Sequence, residues 1–300
     1  MKLLSFRGID GLARVGAVVE GRVFDLDDQV AKLPVPAAVA TRLAQHGLVP
    51  AERGMLRLLQ AGQDALPSLA LPTSSVALAD VQLLAPVPRP GKVVAVGRNY
   101  ADHAKETGVA PFEQPRIISK LPSSVCGPGS RVPRPAGVSK LDFEVELAVV
   151  IGAFACNVTK ERALEYVAGY TVLDDVSARE FQFDVSHAQT TFAKSMDGFC
   201  PMGPWLVTRD EIPDPQALEL TCHVNGQQMQ HGHTADMLFP VARLIEYISA
   251  FMTLEPGDVI ATGTPAGIGA FRDPPMWLQP GDRIRMEVSS IGVLEHEIAS

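Results

Sequence analysis

No apolar run in this sequence approaches the roughly 18 residues that cross a bilayer, so no transmembrane segment and no membrane partner are expected. The opening MKLLSFRGID lacks the apolar core of a secretory signal, which points to a cytoplasmic protein. Basic residues are in deficit. The formal net charge is −8, and nucleic-acid phosphates select basic surfaces, so nucleic acid is excluded as an expected partner. Cysteine is sparse too. Cys126, Cys156, Cys200 and Cys222 form no Cys-x-x-Cys pair, which fits reduced thiols rather than a zinc or disulfide framework. No internal repeat or low-complexity tract is present.

What is there is ample core material: 46 % of the 300 residues are hydrophobic, enough for one large domain plus a small one. The pattern predicts an α+β fold, mostly β. Residues 1–85 read as a small N-terminal α+β domain, with strands at Lys2–Phe6, Ala13–Glu20 and Arg22–Leu26 and a hairpin turn at Glu20-Gly21. Helical spacing follows over 37–46, stopped by Gly47, and over 52–60. The proline-rich stretch Ala85–Gly91 marks the boundary, leaving 86–300 as the larger domain. In it, strands are expected at 92–96, 169–176, 218–224 and 259–261. Residues 117–126 read as a strand running into a loop, with Lys120 and Ser124 polar in apolar company. Helices are expected over 159–167, capped by Asn157, and over 240–252, with Phe251 on the buried face. Residues 192–204 read as a loop.

The chemistry concentrates in LDFEVELAVVI, 141–151. Strand alternation points Glu144 and Glu146 one way and Phe143, Val145 and Leu147 the other. Two neighbouring carboxylates on an apolar strand repel each other and need either water or a cation, for which a hard divalent ion is suited. In GYTVLDDV, Asp174 and Asp175 are adjacent, so only one can share a face with the Glu pair. A third carboxylate would give a magnesium site with open positions. Arg179 could instead pair with an Asp.

In YADHAKETG, Asp102 is placed to cap a short helix closed by Gly108, with His103 and Glu106 three apart on one face. That pair is either a surface contact or an imidazole oriented as a general base. Lys194 is either a solvated side chain or a fixed cation for an anionic substrate. His231 and His233 read as turn residues rather than ligands. The glycine-rich loop 262–269 lacks a P-loop ending, and its small residues would let backbone approach a small ligand.

Taken in order, GRNYADHAKE, DFEVELAVV, GYTVLDDVSARE, AKSMDGFCPMGP and GDVIATGTPAGIG resemble the fumarylacetoacetate hydrolase family over about residues 85–300. The resemblance implies a mixed β-sandwich roll, usually homodimeric, holding one magnesium or manganese ion. It makes Glu144, Glu146 and Asp175 the metal ligands, with Asp174 turned elsewhere. His103 and Glu106 match the water-activating dyad, on a short helix that in the family can act as a lid. Lys194, with Arg98, Gln182 and Thr264, matches positions that contact substrate or support the site. The extra upstream Asp ligand of fumarylacetoacetase itself has no counterpart here, so fumarylacetoacetate is not the expected substrate. The implied activity is cleavage of a 2,4-dioxo acid (an acylpyruvate) to pyruvate and a carboxylic acid. A small-molecule 2-oxo acid is then the partner. Oxaloacetate decarboxylation and 2-hydroxydienedioate isomerisation suit the same parts, and a non-catalytic binding module remains the reading from another class.

Overall fold

The computed structural model describes residues 1–106, 108 and 110–299. Apolar and β-branched runs form β1 (Lys2–Arg7), β2 (Ala13–Val19) and β3 (Arg22–Asp25). Glu20 and Gly21, both in the left-handed region at φ 49° and 72°, make the tight turn between the last two. Helix α1 (Ala37–Ala44) ends ahead of Gly47 at φ 69°, where the Leu48 N–H returns to the Leu43 carbonyl. Helix α2 (Gly54–Ala61) buries Met55, Leu58 and Leu59.

The remainder runs β4 (Val93–Gly97), α3 (Ala101–Glu106), β5 (Arg116–Lys120), β6 (Val145–Ile151), β7 (Val167–Asp174) and β8 (Cys200–Thr208). It continues with β9 (Glu219–Val224), β10 (Gln227–His233), α4 (Val241–Phe251), β11 (Val259–Ala261), β12 (Arg283–Val288) and β13 (Gly292–Ile298). A twelve-stranded sheet has β3-β2-β1-β8-β7-β6-β11-β4-β5 along its main path. Because β1 pairs with β8, with Lys2 opposite Val207, residues before 85 extend the same sheet that carries the later strands. A five-stranded sheet, β10-β9-β12-β13 plus Arg131–Val132, lies against it. No helix is long and apolar enough to cross a membrane among the described residues.

Both faces of the central strands are covered. Leu147, Val149 and Ile151 of β6 join the core shared with the smaller sheet, where Leu220, Met286 and Leu294 meet them. Ala148 and Val150 face the opposite way, into a core with Leu58 and Leu59 of the N-terminal segment. Strand alternation alone divides the side chains between the two cores.

Four expectations fail for identifiable reasons. Residues 159–167 form no α-helix. Asn157 adopts φ 52°, the Asn157 and Val158 amides are bound by Ser249 of α4, and only a 3₁₀ turn, Ala163–Tyr166, precedes β7. Residues 200–204 are strand rather than loop. Pro201 and Pro204 disguise a run whose Met202 and Gly203 pair with Leu173 and Val172, with a register shift beside them. Phe251 is 76 % exposed, because it lies at the end of α4 and its ring rests on Tyr247 of the same helix. His231 and His233 lie in β10, opposite Thr221 and Glu219, and the His231 side chain reaches diagonally to Glu219 Oε1 at 2.5 Å.

Gly169 lies where β7 meets β8, and a Cβ there would run into the Val207 carbonyl and the Thr208 Cα. Gly169→Ala is expected to destabilise the protein by about 1–3 kcal/mol or more, since backbone must move, as measured by urea unfolding. An unchanged midpoint would show that the two strands are not packed this closely.

Candidate metal centre and active site

The antiparallel register of β6 and β7 brings the acids together. Val145 faces Asp174, and one step further the Asp175 N–H donates to the Glu144 carbonyl at 3.0 Å. Glu144 lies in the short break between the Leu141–Asp142 strand and β6, with Glu146 two residues on. Glu144, Glu146 and Asp175 are all buried, each offering a carboxylate oxygen within 4.8 Å of the others. Asp174 points away. It accepts from the Glu144 N–H at 2.9 Å and meets His296 Nε2 at 2.8 Å.

Cations surround this cluster unevenly. Lys194 Nζ donates to Glu144 Oε2 (2.9 Å), Asp175 Oδ2 (2.7 Å) and Ser177 Oγ (2.8 Å), which occupies its three donors. Lys120 Nζ, fully buried, donates to Asp175 Oδ1 at 2.7 Å and to the Lys194 carbonyl. Arg179 bridges Asp142, 2.8 Å from Nε, and Glu144. Glu146 pairs with no Lys or Arg among the described residues, and its Oε2 accepts only from the Gly263 N–H, at 2.8 Å.

The titration directions follow. Burial opposes charge on Glu144, but Lys194 and Arg179 outweigh it and hold the carboxyl well below its usual range. Burial together with Asp175 and Glu144 pushes Glu146 well above its usual range. Burial also works against the Lys194 ammonium, yet Asp175 and Glu144 hold it above its ordinary value, so it is a fixed cation and not a base. A compact set of hard oxygen donors with one uncompensated buried carboxylate fits a divalent cation.

The His103–Glu106 pair sits beside it. In α3 the Ala104 N–H bonds the Tyr100 carbonyl, so the helix starts two residues earlier than an Asp102 cap would give. Asp102 is inside the first turn and accepts from the Ala266 N–H at 3.3 Å. Gly108 follows at φ 66°; Thr107, within the expected helix, lies outside the described residues. His103 is buried, with Nδ1 3.0 Å from Glu106 Oε2, and Glu106 Oε1 accepts from the Gly267 N–H at 3.0 Å. The glycine-rich loop thus brings its backbone to the protein's own carboxylates. Gly263, Gly267 and Gly269 serve Glu146, Glu106 and Asp142 in turn.

His103, Glu144, Glu146, Asp175 and Lys194 line one cleft of about 250 Å³. Arg98, Gln182 and Thr264 line it as well. Gln182 accepts from Arg179 Nη1 at 2.9 Å, and the Thr264 hydroxyl, held by Gln230, donates to the Val145 carbonyl at 2.9 Å. Residues 92–299 match the family described as fumarylacetoacetate (FAA) hydrolase, C-terminal. The chain belongs to the fumarylacetoacetate hydrolase family.

Among its relatives is the human mitochondrial oxaloacetate tautomerase FAHD2A, 46 % identical over 219 residues, covering 73 % of this chain and 70 % of that protein. A fumarylacetoacetate hydrolase from Exiguobacterium antarcticum superposes with TM-score 0.79 at 36 % identity, covering 100 % and 99 % of the two chains. A maleylpyruvate hydrolase from Sphingobium sp. SYK-6, in complex with manganese(II) and pyruvate, gives 0.73 at 30 % identity, with 100 % and 99 % covered.

Three charged residues of this family member went unassigned to the site by sequence reasoning: Lys120, Asp142 and Arg116. Lys120 was visible as a lone cation in an apolar strand. Asp142 continues the alternation of Glu144 and Glu146 backwards by two residues, a signal present in the sequence. Arg116 and Ile118 alternate with Lys120 along β5 and line the cleft, while Lys120 is buried against Asp175.

Manganese at a hundred times its dissociation constant should stabilise the protein by about 2.7 kcal/mol, read as a raised melting temperature. Glu146→Gln should abolish that response and leave the metal-free protein more stable, because it removes a repelled buried charge. A full response in the variant would remove Glu146 from the ligand set.

Proposed function

We propose that this protein is a magnesium- or manganese-dependent hydrolase that cleaves a 2,4-dioxo acid into pyruvate and a carboxylic acid. The observation that carries the reading is the 3.0 Å contact between His103 Nδ1 and Glu106, in the cleft that holds the three acids. With Glu106 accepting from Nδ1–H, Nε2 is left as the basic nitrogen. Glu144, Glu146 and Asp175 would hold the ion, which when bound orients a 2-oxo acid and draws charge from it.

His103 then takes a proton from water as the water oxygen adds to the carbonyl at C4. Collapse breaks the C3–C4 bond, leaves the carboxylic acid, and passes the electron pair to the pyruvate enolate, which is protonated at C3. Lys194, held charged among Glu144, Asp175 and Ser177, supplies fixed positive potential for that enolate.

A second reading is favoured by the human relative, an oxaloacetate tautomerase. There the same base would move a proton between C3 and the enol oxygen with no attack by water. Acylpyruvates, oxaloacetate and a 2-hydroxydienedioate, assayed with the ion and with chelator, separate hydrolysis from tautomerisation, decarboxylation and isomerisation. Turnover of none of them would leave the binding-module reading.

His103→Ala is expected to lower acylpyruvate turnover by roughly 10²–10⁴-fold while the thermal response to manganese persists. Turnover at the parent rate would end the assignment of His103 as the base.

A further inference from the structure

Arg98 and Arg116 sit side by side in the cleft. Gly97 of β4 is opposite Arg116 of β5, and Arg98 follows it in the left-handed region at φ 56°. A side chain other than glycine in that region carries backbone strain, which clusters at sites where a group must be aimed. Both guanidinium groups lie over the ring of Phe112, at 5.6 and 5.9 Å. Neither has a hydrogen bond or salt bridge among the described residues, whereas Arg179 and Lys194 in the same cleft are fully paired. Burial and the neighbouring Arg116 pull Arg98 below its usual value. Two like charges held together without a counter-ion among the described residues form a site that an anion relieves.

Their position sets which anion. Arg116, Ile118 and Lys120 share one face of β5, with Lys120 on Asp175 at the inner end. Lys120 follows Arg116 by four positions of strand, about 13 Å of backbone. The cleft therefore has an acidic cluster at one end, Val96 and Ile118 along its wall, and an unpaired arginine pair at the other.

We propose that Arg98 and Arg116 form a subsite for the distal carboxylate of the substrate, which makes this enzyme selective for 2-oxo dicarboxylic acids over monoacids. This rests on the reading that the inner end takes a 2-oxo acid.

The test needs no turnover. Saturated 2-oxo diacids of five to eight carbons, and 2-oxo monoacids of equal length, are titrated calorimetrically into the manganese-loaded full chain. At the best length the diacid is expected to bind at least about tenfold tighter, as one charge-assisted contact gives. Arg116→Gln should bring the diacid-to-monoacid ratio near one, and Arg116→Lys should retain most of it. Equal binding of the two acids by the parent protein, or a preference that survives Arg116→Gln, would overturn the subsite alone. Binding of neither acid would instead overturn the reading of the inner end, and the subsite with it.

Discussion

The rest of the site depends on an imbalance of buried charge. Four carboxylates, Asp142, Glu144, Glu146 and Asp175, are packed against three cations, Arg179, Lys120 and Lys194. Each cation is committed to other acids, so Glu146 is left without an ionic partner among the described residues. A buried carboxylate next to two others costs several kcal/mol unless it is protonated or a cation is supplied. The fold holds it there because β6 and β7 lie in the middle of a sheet covered on both faces, where neither strand can turn its side chains to water.

The glycine-rich loop completes the arrangement in a way its composition conceals. Its amides at Gly263, Ala266, Gly267 and Gly269 donate to Glu146, Asp102, Glu106 and Asp142, so one loop orients both the acidic cluster and the helix of His103. Gly263 and Gly267 have φ of 99° and 103°, and a Cβ at either would strike backbone of a neighbouring segment. Glycine is required there because the loop's main chain must pass between packed elements while aiming its N–H groups. His103, through Glu106, and the acidic cluster are thereby tied to one loop.

Strand alternation made the Glu144/Glu146 pair legible from sequence, and helical spacing did the same for His103 and Glu106. The adjacency of Asp174 and Asp175 showed that they must part, but only the β7 register decides which faces inward. Lys120 and Asp142 escaped because their roles are set by Asp175, Arg179 and Gly269, 37 to 127 residues away along the chain. Prolines hid β8, whose pairing with β7 tolerates them through a register shift. Asn157 passed as a helix cap, although its left-handed backbone and its bond to Ser249 serve tertiary packing. Local pattern reports the face a residue takes, and the ladder reports whom it meets.

The central claim is that Glu144, Glu146 and Asp175 jointly hold one divalent ion. Anomalous diffraction from crystals of the manganese-loaded protein, recorded on either side of the manganese edge, addresses it directly. The account predicts one strong peak per chain in contact with an oxygen of each of the three side chains. A peak elsewhere, or an empty map over this cluster at saturating manganese, would contradict it.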